Sequence, residues 1–404
     1  MDTLRAELVK ELLIHRGYHA LICRTPQYVL MFTGYQPLLG EAFCIISLNP
    51  INEVEIRLAV PQQEQEFVPE GVAVDVKTFT VETMHYIGNA ADAVRKPLSE
   101  LLEAAGIHEN AVIGIEGGRS PIIPAYTQVG VPGLETYRLL RALIQGVEVH
   151  DASSMFTELA SLKTGEEIAA IKRSCAVAYQ GFLAARQAVH VGVPEAEIAA
   201  ITTAVLIGAG YAVTRARQVQ PHVHVMSGPR AALAYRAFNL TSNRLIERGD
   251  TVLVQIEVGV NGYWAELTRT FFAESINDTW RNICQTCRDA QDAALKVIHD
   301  GVAGSKVDEA ARNVMQKAGF GKAFKHGLGH GFGFQAINHD AQPVLHPAST
   351  SILHSRMTHN IEPSVYLDGD GGFRLNDDVL VRDTHNEVLS AAIPRDIAWL
   401  VVEQ

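Results

Sequence analysis

The chain is poor in cysteine. Five cysteines in 404 residues are an odd number and form no recognisable disulfide framework. Cys284 and Cys287 are separated by two residues in a segment predicted to be helical, so their thiols share one helix face. Such a pair can bind a metal or act in redox chemistry, but no second Cys or Cys/His pair accompanies it. We interpret the pair as partly buried helix thiols and keep the redox or metal role as the alternative.

Basic residues are also scarce. Lys and Arg number 34 against 45 Asp and Glu, which gives a net charge of −11. Binding to phosphate-rich partners requires clustered positive charge. The charge balance therefore predicts neither a nucleic-acid partner nor an anionic membrane surface as a partner.

Long hydrophobic runs are missing as well. No apolar run is long enough to predict a transmembrane helix. The opening segment, MDTLRAELVKELLIHRG, has the pattern of a charged amphipathic helix rather than of a signal peptide. We therefore expect a cytoplasmic protein. The hydrophobic content of 47% is ordinary for a globular chain, and the length predicts two domains.

The pattern of segments suggests where the two domains lie. Residues 1–155 alternate between helical and strand-like segments, which predicts an α/β layer. Residues 156–404 contain two helix pairs, each leading into strands, which predicts an α+β domain. Thr164 followed by Glu167 forms a capping-box signature at the start of the first long helix of this half.

The clearest local structure is a β-hairpin in VLVQIEVGVNGYWAELTRTFF. Asn261-Gly262 between β-rich runs predicts a two-residue turn. Counting outward from that turn pairs Glu257 with Glu266 and Gln255 with Thr268. Because side chains alternate along a strand, all four lie on one face.

Two carboxylates directly opposite each other repel. On an exposed hairpin both would turn into water. Otherwise a cation lies between Glu257 and Glu266, or one of them is protonated and they act as an acid/base pair. The sequence alone does not decide between these alternatives.

Further candidates lie near the C-terminus. HGLGHGFGFQAINHD places His330 and His339 in a glycine-rich loop, where the backbone can approach a ligand closely. Glu362 precedes a proline in an apolar segment, where a carboxylate has to be paired or functional. Arg374 and Asn376 alternate onto one face of a predicted strand.

These motifs together resemble the creatinase, aminopeptidase P, prolidase and methionine aminopeptidase superfamily. Four segments of this chain match its metal-ligand motifs, and the first of them matches without a gap: TVLVQIEVGVNGYWAELTRTFF, HGLGH, IEP and GGFRLND. HALICRTPQYVLMFTGYQ and SLKTGEEIAAIKRSCAVA resemble its N-terminal domain and the first helix of its catalytic domain. The resemblance spans nearly the whole chain. It implies a pita-bread α+β catalytic domain behind a creatinase-type N-terminal α/β domain, and a homodimer.

The resemblance also implies an altered metal site. The family places two Asp, one His and two Glu around two divalent ions. At those positions this chain has Gln255, Glu266, His330, Glu362 and Asn376. Amides bind such ions weakly. We therefore expect no dinuclear centre and, at most, a single divalent ion held by Glu266, His330 and Glu362.

Creatinase has likewise lost these ligands and hydrolyses a C–N bond without metal, but its catalytic histidine aligns with Phe238 here. Our leading hypothesis is a creatinase-like, metal-independent hydrolase, or a related lyase-type enzyme, acting on a C–N bond of a small polar nitrogen compound. A short peptide is the other substrate class we consider. The alternatives are an Xaa-Pro aminopeptidase or dipeptidase with a weak metal site, and a non-catalytic peptide- or metabolite-binding protein.

The hypothesis assigns roles to eleven positions. The catalytic candidates are His330, Glu362, Glu266 and Glu257, with His330 as the general acid/base because imidazole titrates nearest neutral pH. The substrate-binding candidates are Gln255, Thr268, His339, Arg374, Asn376, Phe238 and Tyr235. Arg374 would bind a substrate carboxylate.

Overall fold

The structure is a computed structural model that describes residues 1–117, 133–214, 216–235, 241–336 and 341–403. The chain divides into two compact units, Met1–Ala160 and Ser161–Gln404. The domain limits expected from the sequence, 1–155 and 156–404, stay a proposal, and that boundary would fall inside the helix Ser153–Ser161.

The first unit is built around a mixed sheet. Its helices are α1 (Thr3–Arg16), α2 (Pro26–Thr33), α3 (Ala90–Ala93), α4 (Arg95–Ala104), α5 (Gly133–Leu143) and α6 (Ser153–Ser161). Its strands are β1 (Ala20–Cys23), β2 (Phe43–Leu48), β3 (Val54–Pro61), β4 (Asp75–Phe79), β5 (Glu82–Thr83), β6 (Tyr86–Ile87), β7 (Val112–Ile115) and β8 (Glu148–Asp151). The main sheet has the order β4-β3-β2-β1-β7-β8. Helices α3 and α4 follow each other closely, because the first ends at Ala93 and the second begins at Arg95.

The second unit carries the predicted functional motifs. Its helices are α7 (Gly165–Ala188), α8 (Glu195–Thr214), α9 (Asp278–Leu295), α10 (Gly304–Lys317) and α11 (Ile397–Leu400). Its strands are β9 (Val219–Ser227), β10 (Thr251–Val260), β11 (Tyr263–Ala273), β12 (Thr358–Ile361), β13 (Ser364–Leu367), β14 (Gly371–Arg374), β15 (Asp377–Val381), β16 (Asn386–Val388) and β17 (Val401–Val402). The sheets run β17-β11-β10-β9, β12-β15-β16 and β13-β14.

Helix α7 begins at the predicted capping box. The Thr164 backbone N–H donates to the Glu167 carboxylate at 2.7 Å, and the Glu167 N–H donates to the Thr164 hydroxyl at 3.3 Å. These bonds satisfy two amide groups that the first helical turn leaves open. The cap therefore fixes where this 24-residue helix begins.

The core of the second unit lies between α7 and one face of the β10–β11 hairpin. Gly181 of α7 faces Ile256, and a Cβ at position 181 would lie 3.1 Å from the Ile256 side chain. Val254, Val258 and Leu267 are fully buried on the same face of the hairpin. This burial leaves the opposite, polar face of the hairpin for the site.

Helix α8 corrects one expectation from the sequence. Its segment Glu195–Ala212 is long and apolar enough to span a membrane by length and composition, which we did not expect of any run in this chain. Its Ile198, Thr202 and Leu206 are fully buried, and α8 packs on α7 and β9. Such packing is equally typical of a helix at the surface of a globular domain, so the segment is weak evidence for a membrane.

Candidate active site

The hairpin that carries the predicted acidic pair forms as expected. Asn261 and Gly262 have φ values of 51° and 81°, which suit a two-residue turn of the type that matches strand twist. The register pairs Glu257 with Glu266 and Gln255 with Thr268, so the sequence-based pairing is confirmed.

Strand β9 extends this polar face, which we did not predict. It pairs with β10 so that His224 lies opposite Gln255, and His222 lies opposite Glu257. Residues directly opposite each other in a sheet share a face. The face therefore carries two further histidines, and an HVH pattern in a strand that leads to this site is the signal that could have identified them.

The polar face is buried. Gln255, Glu257 and Thr268 are 0% exposed, Glu266 is 4% exposed and His224 is 3% exposed. An exposed hairpin whose two carboxylates turn into water is therefore excluded. Buried charges require partners, and the structure supplies them from neighbouring strands and loops.

Gln255 joins two parts of the site through its side-chain amide. Its oxygen accepts a hydrogen bond from Arg374 Nη1 at 2.8 Å. Its nitrogen donates to Glu257 Oε1 in a short hydrogen bond. Both ends of the amide are engaged, one as acceptor and one as donor, which an ionised carboxylate could not provide.

Glu257 also faces an imidazole. Its second carboxylate oxygen, Oε2, lies 3.3 Å from His224 Nε2. His222, the neighbouring histidine on the same face, stacks instead on the indole of Trp264, with ring centroids 5.5 Å apart and planes at 8°. Burial lowers the pKa of His222.

A glycine makes room for that stack. Gly259 lies opposite Trp264 in the hairpin, and a Cβ at position 259 would lie 2.5 Å from the indole. The backbone N–H of Trp264 donates to the Gly333 carbonyl at 2.8 Å. Strand β11 is therefore tied directly to the glycine-rich loop.

That loop presents His330. The His330 backbone N–H donates to Asn360 Oδ1 at 2.7 Å, and the Asn360 N–H donates to the His330 carbonyl at 3.1 Å. A Cβ at Gly329 would overlap the Asn360 carbonyl, so only glycine allows this close approach. Asn360 thus fixes the position of His330.

His330 lies beside Glu266. Its Nε2 is 3.6 Å from Glu266 Oε1, and its Nδ1 is 2.9 Å from the Gly331 carbonyl. Burial would lower the pKa of His330, but the carboxylates of Glu266 and Glu362 raise it to about 9.

One contact opposes that upward shift. Asn360 Nδ2 lies 3.0 Å from His330 Nε2. Because Asn360 Oδ1 already accepts from the His330 backbone, its Nδ2 is a donor at this position, which favours the neutral ring with Nδ1–H on Gly331. The carboxylates therefore raise the pKa of His330, and the contact with Asn360 limits how far that pKa rises.

Glu362 and Arg374 complete the cluster. Glu362 lies between β12 and β13, and its Oε2 is 3.7 Å from Arg374 Nε. Burial raises the pKa of Glu362 to about 7, although Arg374 and His330 act to lower it. Arg374 also donates to the Tyr366 hydroxyl at 2.9 Å and to the Ala234 carbonyl at 3.0 Å.

One polar atom of the Asn376 side chain is hydrogen-bonded, and the other has no partner among the described residues. Its Nδ2 donates to the Glu266 backbone carbonyl at 2.9 Å. Its Oδ1 is buried and has no hydrogen-bond partner among the described residues, and the same holds for Thr268 Oγ1. The two residues are joined by backbone bonds, so these two acceptors belong to neighbouring positions.

Further charged residues hold the backbone of the site in place. Arg269 is fully buried and forms an ion pair with Asp377 at 2.7 Å. Its Nη1 donates to the Asn376 carbonyl, also at 2.7 Å. Asp378 Oδ2 accepts from the Glu266 backbone N–H at 3.1 Å, and burial raises the pKa of Asp378. These bonds hold the backbone at Glu266 and Asn376 together.

The donor set does not fit a two-ion centre. An ion bound by Gln255 would displace Arg374 from the amide oxygen. At Asn376 the ligand atom would be the neutral Oδ1, and amide oxygens are weak donors to divalent ions. Within the described residues, no group of three or more His, Cys, Asp and Glu side chains is arranged to hold a metal ion.

Most of the predicted site residues therefore come together. The cluster contains Gln255, Glu257, Glu266, Thr268, His330, Glu362, Arg374 and Asn376. Tyr235 adjoins it, because its ring lies 5.4 Å from that of Tyr366, which binds Arg374. His339 and Phe238 fall outside the described residues. Sequence reasoning missed His222, His224 and Asn360.

Comparison with known proteins agrees with this architecture. The model of metallopeptidase family M24 matches residues 169–383. The Xaa-Pro dipeptidase of Pyrococcus furiosus is 27% identical over 358 residues, which cover 89% of each chain. The agropine synthesis cyclase of Rhizobium rhizogenes is 29% identical over 262 residues, 62% of this chain and 65% of the relative.

A solved structure shows the same fold. The Xaa-Pro dipeptidase from Bacillus anthracis superposes with a TM-score of 0.78 at 21% identity, covering 98% of this chain and 99% of that one. At this identity the likeness establishes the fold only. The family match, by contrast, spans more than half of this chain. The chain therefore belongs to metallopeptidase family M24, with a pita-bread catalytic domain and an N-terminal domain, and is a hydrolase that acts on C–N bonds.

Proposed function

We propose that the chain hydrolyses a C–N bond of a small polar nitrogen compound by proton transfer between its own side chains, without a dinuclear metal centre. One observation carries the proposal. The amide of Gln255 bridges Arg374 and Glu257, and an ion at that position would break the bond to Arg374.

The cluster contains the groups that such a reaction needs. Hydrolysis of a C–N bond requires a base that takes a proton from water and an acid that gives one to the departing nitrogen. The imidazole of His330 and the carboxylate of Glu266 lie 3.6 Å apart, beyond hydrogen-bond distance, and are the acid/base candidates of the site. Glu362, held beside Arg374, supplies a carboxylate that can bind a substrate cation.

The open acceptors indicate the chemistry of the substrate. Asn376 Oδ1 and Thr268 Oγ1 are buried and lack protein donors among the described residues. A buried acceptor without a partner costs about 1–3 kcal/mol. A substrate with N–H groups, such as an amide, guanidine or cyclic amidine, would satisfy both atoms.

The relatives named Xaa-Pro dipeptidase support a second candidate, a dipeptidase that uses divalent metal. In this candidate the reaction is still hydrolysis of a C–N bond, but a metal ion rather than a side chain activates the water.

One experiment separates the two. The purified protein is analysed for Mn, Fe, Co and Zn, and is then assayed with and without chelator on Xaa-Pro dipeptides, amides, guanidines and cyclic amidines. We expect turnover that survives chelation and falls about 10²–10⁴-fold in His330→Gln. The exposed His346→Gln is the control and should retain activity. Stoichiometric metal with chelator-sensitive activity would establish the metal dipeptidase instead.

A further inference from the structure

The outward face of α8 is apolar and exposed. Only 28% of the residues of Glu195–Ala212 are buried, whereas a helix in the core of a domain would be mostly buried. Between Glu197 and the end of α8 the sequence contains no charged residue. Four large apolar side chains of the helix are between 36% and 48% exposed: Ile201, Val205, Ile207 and Tyr211. A continuous apolar face of this kind marks an interaction surface.

Small residues form a groove along the middle of this face. On an α-helix, residues four positions apart form rows along the surface. One such row of α8 contains four exposed residues that are all small: Ala200, Ala204, Gly208 and Ala212. The two neighbouring rows carry the four large apolar side chains. The face is therefore a shallow groove between two apolar ridges.

Contacts inside the chain do not explain the glycine in this groove. Glycine in a helix interior is destabilising relative to alanine. Gly210 has an internal reason, because a Cβ there would lie 2.5 Å from Val219. A Cβ at Gly208, by contrast, would meet no atom of the described residues within 4 Å. A second backbone that approaches α8 closely from outside would account for Gly208.

The charges at the two ends of α8 point to a second copy of this chain as the occupant. Glu197 is exposed in the first turn, and Arg217 is exposed three residues after the helix ends at Thr214. An antiparallel second α8 would bring each Glu197 to the Arg217 end of the other copy, and it would pair opposite ends of the two helix dipoles. In a two-fold contact the same face serves both copies, so a ridge of each fits into the groove of the other.

A lipid surface is a less suitable occupant. Helices that lie in a membrane interface are rich in Lys and Arg on their polar face. Helix α8 contains neither residue type, and its two charged residues are Glu195 and Glu197. The negative charge at its first turn would be repelled by an anionic membrane.

The size of the face predicts a weak association. The segment Glu195–Ala212 is about 27 Å long and about 10 Å wide, which gives roughly 270 Å² per copy. Exposed Val191 and Leu245 extend the face at the first turn, because Leu245 is bridged to Pro194. A stable interface buries about 800 Å² per partner. The association should therefore be reversible and should dissociate on dilution.

We propose that two copies of this chain associate through an antiparallel, two-fold pairing of their α8 faces, with Gly208 at the point of close approach. The inner face of α8 packs on α7 and β9, so the pairing uses only the outer face. The proposal does not depend on the proposed function, because it involves none of the residues of the candidate active site.

The mass of the full chain in solution tests the pairing. Sedimentation equilibrium is measured from low to high micromolar protein, and we expect the mass to rise from that of one chain towards that of two. Gly208→Leu places a branched side chain at the contact and should raise the dissociation constant at least about tenfold. Asn313→Leu, at an exposed position of α10, is the matched control and should dimerise like the wild-type protein.

Unfolding of the variant would not imitate this result. Leucine has a higher helix propensity than glycine, and the space around position 208 is open among the described residues. Monomeric Gly208→Leu should therefore unfold at the same temperature as monomeric wild-type protein or at a higher one. Circular dichroism during heating measures this temperature.

An exchange of charges tests the antiparallel direction. Glu197→Arg and Arg217→Glu should each raise the dissociation constant, because each places like charges together at the ends of the paired helices. The double variant restores opposite charges and should regain the affinity of the wild-type protein.

Four results would overturn the proposal. The first is the mass of one chain at every concentration, and the second is an unchanged dissociation constant in Gly208→Leu. The third is a double charge variant that stays as weak as the single variants. The fourth is wild-type protein that sediments as a monomer and binds phosphatidylcholine vesicles, which would make lipid the occupant of the face.

Discussion

Arg374 donates its Nη1–H to the side-chain oxygen of Gln255 at 2.8 Å, and the nitrogen of the same amide donates to Glu257. A carboxylate at position 255 could accept from Arg374 but could not donate to Glu257. The neutral residue at this position is therefore matched to the acidic residue two positions later on the same strand.

This match predicts the effect of placing an acidic residue at position 255, where the family has a metal ligand. Gln255→Asp places a second carboxylate against Glu257 in a buried site, and we expect a loss of about 3–5 kcal/mol in the free energy of unfolding. Urea denaturation measures it. The loss should shrink in the double variant Gln255→Asp with Glu257→Gln, in which the repulsion is removed.

The double-mutant cycle supplies the control. Glu257→Gln alone should cost less than Gln255→Asp, because it leaves a neutral pair. If the two single effects simply add in the double variant, Gln255 and Glu257 are not coupled and the match inferred from their hydrogen bond is wrong.

The hairpin turn gives a second prediction. Asn261 adopts a left-handed conformation, and its Oδ1 accepts from the backbone of Arg217 at 2.9 Å and of Gln218 at 3.3 Å. Asn261→Ala loses both acceptor bonds and tolerates this conformation less well, so we expect about 1–2 kcal/mol of destabilisation in thermal or urea unfolding. Asn261→Asp keeps the acceptor and should lose clearly less. Equal losses in the two variants would contradict this account of the turn.

His359 predicts a dependence of stability on pH. Burial, together with the charge of Lys163, lowers its pKa to about 3, against about 6.5 in an unfolded chain. Between these values the unfolded state binds more protons than the folded state. Stability therefore falls as the pH is lowered from about 6 towards 3, by up to about 1.4 kcal/mol per pH unit from this residue.

Urea unfolding at several pH values tests the contribution of His359. His359→Gln should flatten the acid side of the stability curve relative to the wild-type protein. His354, whose side chain is 58% exposed, is the matched control, and His354→Gln should leave the slope as it is. Parallel curves for the wild-type protein and His359→Gln would show that His359 is not held neutral in the folded state.

The cysteines should be unreactive in the folded protein. All five are buried and unpaired, and burial raises the pKa of Cys284 to about 12 and that of Cys287 well above its ordinary value. Because the thiolate is the reactive form, we expect a thiol reagent to label the native chain slowly and all five cysteines after unfolding. Fast labelling of Cys284 or Cys287 in the native protein would revive the redox alternative.

The hairpin shows how much the sequence could predict. Asn261-Gly262 determines the turn, and the alternation of side chains then determines that Glu257 opposes Glu266. Both steps depend only on neighbouring residues. The capping box at Thr164 was predictable for the same reason.

Contacts between distant segments were not predictable. Asn360 binds His330 across 30 positions, and Arg374 binds Gln255 across 119. His224 lies 33 positions before Glu257, and only the register between β9 and β10 brings the two side chains together. One chain gives no local signal for such pairings, and so the network around Gln255 and the approach of His224 to Glu257 appear only in the folded structure.

Gly259 has an influence that extends beyond its own strand. A side chain there would push the Trp264 indole away from β10, and the Trp264 backbone is bonded to Gly333, three residues beyond His330. Displacing the indole would therefore strain the segment that holds the imidazole. The distance between the Trp264 indole and β10 therefore affects the position of His330. A single methyl group at position 259 would disturb both.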